Sequence, residues 1–90
     1  MTVSKKYAAD LNFNDAIEQS ILAAQESGYK DISVTTENGT IVGEYVQKTN
    51  EVLILKEETG ITHSKTGKEK VELSFIKLDT IIAISVYILE

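Results

Sequence analysis

From residue 13 to residue 28 the apolar positions recur at helical spacing, and after Gly28 they alternate. In "FNDAIEQSILAAQESG" Ile17, Ile21 and Ala24 fall on one face with Leu22 beside them, while Glu18, Gln19, Gln25 and Glu26 occupy the other. Asn14 or Asp15 can cap its start, Glu18 lies where a capping box places an acid, and Gly28 supplies a left-handed stop. One amphipathic helix over residues 13–28 is predicted, lying on something. Beyond it the pattern predicts strands at about residues 31–37, 40–48, 51–57, 70–77 and 80–89. Asn38-Gly39 is a strong signal for a tight hairpin, Thr49-Asn50 a short turn, and Leu78-Asp79 another abrupt turn. The polar "TGITHSKTGKEK" between the third and fourth strands reads as a longer loop or an extended hairpin tip. With connections this short, successive strands are expected to be antiparallel neighbours.

Two features of this pattern need a reason. Gly43 stands in the middle of "ISVTTENGTIVGEYV", where a glycine weakens a strand. It suits a strong backbone bend or the close approach of another segment; a simple bulge is the alternative. The last strand, "IIAISVYIL", is apolar on both alternating faces, as in a strand covered on two sides. A small sheet hides its apolar face best by curling on itself, so the expected fold is mainly β with one N-terminal helix. Its five antiparallel strands would form a strongly bent sheet closing into a small barrel. The second face of the last strand would then be covered by a neighbouring copy, through the edge of the fourth strand "KVELSFIK". The helix covering it within a monomer is the competing arrangement.

Composition sharpens this. Ninety residues form one domain, and a chain of that size buries only roughly 60% of its unfolded surface. With no cysteine to supply a disulfide or thiolate site, self-association is the remaining common source of stability. Residues 1–12 are expected to be a flexible leader without the apolar block of a secretory signal, and no run is long enough for a membrane-spanning helix, which predicts a cytoplasmic protein. The net charge of −5, with all nine cations lysine and none arginine, disfavours indiscriminate nucleic-acid binding and removes the bidentate fork used to read phosphates and guanine.

Taken in order, the helix, the Asn-Gly turn, the bent strand with its glycine, "EVLILKEE", a variable loop and "LSFIKLDTIIAIS" resemble the Sm and Sm-like superfamily over residues 13–88. The chain departs from that pattern at several points. Three residues rather than four separate Gly39 from Gly43, Thr49 falls near the usual aspartate, and Glu51 stands where a stacking aromatic is expected. Lys77 matches the family's cation, with Leu78 in place of glycine. The resemblance implies a closed Sm-like barrel and a homo-oligomeric ring of roughly five to seven subunits that binds single-stranded RNA, or less readily DNA, around its pore.

In such a ring the turns at residues 47–50 and 77–80 would meet at the pore once per subunit. Lys48 and Lys77 would then form a repeated cationic track, with Thr49, Asn50 and Asp79 beside them and Asn50 able to bond base edges. Tyr45 is the nearest aromatic for stacking, although a half-buried strand tyrosine accounts for it equally well. Lys5 and Lys6 form a second candidate patch or a solvated tail. Catalysis has little support: His63 is the only histidine and reads as a solvated loop residue, and Glu57-Glu58 has no partner at a metal-ligand spacing. No cofactor is expected. The acidic balance, the missing arginine and Glu51 also fit a different role, a structural or adaptor ring docking a protein partner, for example in a phage assembly.

Overall fold

The computed structural model describes residues 12–89; the expectations for Lys5, Lys6 and the rest of the leader lie outside them. Helix α1 (Phe13–Ser27) is followed by strands β1 (Asp31–Thr36), β2 (Gly39–Lys48), β3 (Val52–Thr62), β4 (Glu69–Lys77) and β5 (Ile81–Val86), with a short 3-10 turn at Leu78–Thr80. Strand order in the single antiparallel sheet is β4-β3-β2-β1-β5. The protein is therefore mainly β with one helix.

The helix begins at Phe13, where the sequence reading placed it, but with a different cap. Asn12, rather than Asn14 or Asp15, is the cap: it is extended, and its Oδ1 accepts the Asp15 N–H at 2.9 Å. Gly28 ends the helix at φ 83°, in the left-handed region. Asn12→Ala should therefore lower stability by about 1 kcal/mol, seen in thermal denaturation as a Tm drop of about 4–8 °C.

Packing follows the two periodicities. Ile17, Ile21 and Ala24 of α1 meet Ile32 and Val34 of β1, Leu53 and Leu55 of β3, and Ile76, Leu78 and Ile81. No polar or charged side chain is buried among the described residues. Strand β2 joins the two halves of the sheet. It pairs with β1 over Gly39–Glu44 and with β3 from Glu44 onward, so Glu44 faces both Asp31 and Lys56. A register shift between Tyr45 and Gln47 follows immediately. Gly43 sits at this crossing. A Cβ there would lie 2.9 Å from the Lys56 carbonyl oxygen and 3.0 Å from the Leu55 Cβ, so close approach of β3 is what requires the glycine.

Of the two readings of "TGITHSKTGKEK", the extended hairpin holds: β3 and β4 run on past the rest of the sheet, pairing Glu57 with Glu72 and Thr62 with Glu69. A shift between Glu58 and Ile61, with Gly60 at φ 74°, lets the ladder continue through the polar stretch. Here we call this extension the arm. At its tip the His63 N–H donates to the Lys68 carbonyl at 2.8 Å, and Gly67 turns at φ 71°. One expectation changes, that of closure. Among the described residues β4 pairs only with β3 and β5 only with β1, so the sheet is open, with β4 and β5 as its edges. The core is sealed instead by α1, which packs on β5 and β1. Strand β5 is also shorter than the segment 80–89, because β1 begins at Asp31 and offers Val86 its last partner, Ile32.

Candidate nucleic-acid interface

The chain forms its two turns by different means. In the turn after β2, the Thr49 hydroxyl accepts the N–H groups of Glu51 at 3.2 Å and Val52 at 3.0 Å, while the Thr49 N–H donates to the Val52 carbonyl at 2.9 Å. Thr49 is thus committed to shaping the turn. In the turn after β4, the Thr80 hydroxyl donates to the Lys77 carbonyl at 2.6 Å and buried Leu78 anchors the 3-10 segment in the core. The Leu78 N–H donates to the Glu51 carbonyl at 2.8 Å, tying one turn to the other.

That bond creates a groove of about 600 Å³ lined by Asn50, Glu51, Lys77, Leu78 and Asp79, closed on one side by Phe13 and Asn14 at the start of α1. Asn50, Lys77 and Asp79 are therefore brought together. Lys77 and Asp79 approach to 3.7 Å, both largely solvated. Phe13 is 42% exposed, so an aromatic face is present in a groove whose turn carries Glu51 rather than an aromatic. Its sequence signal was only that a large apolar side chain continued the stripe of Ile17, Ile21 and Ala24 one turn toward the start of the helix.

No protein-family model, curated protein or solved structure matches the chain.

Two candidate residues lie elsewhere. The Lys48 ammonium meets Glu18 Oε1 at 2.8 Å with only 15% of its side chain exposed, so this cation is directed at the helix. Tyr45 packs against the core and lines a separate cleft of about 240 Å³ with Ala24, Gln25, Lys30 and Glu44, away from both turns. His63 stays in the arm tip, where its Nδ1 accepts the Lys65 N–H at 3.3 Å. Because Lys48 is already paired, Lys48→Gln should leave oligonucleotide affinity within about twofold and lower stability by less than about 1 kcal/mol. Fluorescence anisotropy and urea denaturation of the same variant test both figures. Among the described residues no helix is long and apolar enough to cross a membrane.

Proposed function

We propose that the chain is the subunit of a non-catalytic, homo-oligomeric Sm-like ring that binds single-stranded nucleic acid, RNA in preference to DNA. In this reading the sheet curls toward an Sm-like barrel, and its free edges are joined between copies, β4 of one protomer to β5 of the next. The observation that carries the binding role is the groove itself, which holds an aromatic face (Phe13), an amide (Asn50) and a cation (Lys77) within reach of one nucleotide. These are the three elements a single-strand site needs: stacking, base-edge hydrogen bonding and phosphate neutralisation. Repeated around a ring they act on one strand together, so a weak contact becomes a strong one.

The edges support assembly. Phe75 of β4 is 67% exposed and Ile82 of β5 is 62% exposed, and neither strand has a second partner among the described residues. Native sheets normally blunt such edges with charge, proline or a covering element. Head-to-tail addition through two different edges generates a ring when the rotation closes.

Light scattering coupled to size exclusion, followed by anisotropy titrations with U-rich, A-rich and mixed oligonucleotides, tests the proposal. A defined oligomer with salt-sensitive binding is expected. A monomer, or no binding at low salt, rejects it. One observation favours the adaptor alternative: Glu51 and Asp79 outnumber Lys77 in the groove, and the chain carries −5 overall. An oligomer that ignores oligonucleotides would select that reading, with a cationic protein surface as its partner.

A further inference from the structure

The two free edges differ in length. β4 has nine residues, Glu69–Lys77, and β5 has six, Ile81–Val86. Three residues follow β5 in the described chain, Tyr87, Ile88 and Leu89, and they are 71%, 37% and 70% exposed. All three are apolar or aromatic types that favour strands, yet among the described residues of the protomer they have no ladder partner, since β1 ends its pairing at Ile32. Together β5 and this tail match β4 in length.

The faces match as well. Val71, Leu73 and Phe75 alternate with Ile76 and lie on the side of β4 turned away from the core, exposed at 44%, 48% and 67%. On β5 the corresponding side is marked by Ser85 and Ala83, which pair with Ser33 and Thr35. Continuing the alternation places Tyr87 and Leu89 on that side and Ile88 on the core side with Ile84 and Val86. The tail is also held in place. The Ser27 hydroxyl donates to the Tyr87 carbonyl at 2.9 Å, and the Tyr87 ring meets Tyr29 edge-on at 6.2 Å between centroids.

We infer that residues 87–89 of one protomer extend β5 along the arm of a second copy of this chain, seating Tyr87 on Val71 and placing Leu89 beyond it, opposite Glu69. The inference rests on the ring reading and goes beyond it. It assigns the arm a partner, the adjacent protomer's C-terminal tail, and makes the β4–β5 junction nine residues long instead of six. Antiparallel addition runs the tail outward along β4, toward the arm tip, with the two apolar rows facing one another only when face alternation is kept in register. The arm is thereby buttressed by the next subunit.

Two experiments on the full chain test this. The chain has no cysteine, so Val71→Cys and Tyr87→Cys variants each carry one thiol, and a disulfide between them is intermolecular by construction. On oxidation the mixed variants should form the heterodimeric disulfide, with little product from either alone. The double variant Tyr87→Ser/Leu89→Ser, which leaves the buried core intact, should raise the concentration at which the oligomer dissociates by about tenfold or more in dilution-series light scattering. If the unmodified chain is monomeric, the ring reading fails and this inference with it. If the chain is oligomeric but the mixed variants do not cross-link and the double variant dissociates as before, the ring stands and the tail-on-arm contact is wrong.

Discussion

Gly43→Ala is expected to destabilise the protein by about 1–3 kcal/mol, and Gly43→Val by the upper end of that range or more. The added Cβ meets the Lys56 carbonyl and the Leu55 Cβ at 2.9 and 3.0 Å, and neither can swing aside as the end of a flexible side chain would. Relief requires β2 and β3 to separate where β2 passes from one partner strand to the other. For a domain of this size a loss of that order is a large part of the whole, since total stability is about 0.05–0.15 kcal/mol per residue. Urea denaturation should show a lower midpoint with an unchanged slope, while Thr40→Ala, exposed on the same strand and losing only the hydroxyl contact to Thr35, should lower the midpoint much less. An unchanged midpoint for Gly43→Ala would mean that the two strands yield freely at the crossing.

Phe13→Ala is expected to weaken oligonucleotide binding roughly fivefold to a hundredfold, the range that corresponds to removing one stacked base. Phe13 is partly exposed and stands outside the apolar core, so the folded state should persist, and Phe13→Tyr should restore most of the affinity. Lys77→Ala should act differently. On the proposed reading it removes a phosphate contact, so its effect should shrink as salt rises, with the slope of log affinity against log salt reduced by about 0.7 for each site engaged. The pair of variants separates stacking from charge neutralisation in one titration series. Affinity indifferent to Phe13→Ala would remove the groove as the binding site.

Where the sequence was legible, a buried face or a backbone requirement had written a period into it. The stripe of Ile17, Ile21 and Ala24 and the stop at Gly28 reappear in the structure, and so does the tight hairpin, displaced by one residue: Glu37 and Asn38 form its loop and Gly39 opens β2 opposite Thr36. The arm was legible only as one of two alternatives because both of its faces meet solvent, so Glu57–Thr62 and Glu69–Glu72 carry no alternation, and the extra residue near Gly60 breaks what little there is. The groove was legible in part. Asn50, Lys77 and Asp79 belong to turns, and turns announce themselves. That Lys48 would turn to Glu18, thirty positions earlier, and that Phe13 would complete the groove depend on how the helix lies on the sheet. Helix orientation is a tertiary choice that no local pattern encodes. The same holds for β5, whose apolar run continues to Leu89 although the neighbouring strand β1 does not.

The pairing of β1 with β5 also bears on synthesis. The helix is the first of these elements to leave the ribosome and β5 is the last, yet α1 rests on β5, and Ile32 must wait for Val86. The hairpins from β1 to β4 can zip in order as they emerge, because each contact is local. Until translation delivers Ile81 and the residues after it, the nascent domain presents a greasy flank on β1 and a helix without its seat. A stall or nonsense codon just short of that point should release an aggregation-prone fragment rather than a slightly shortened protein.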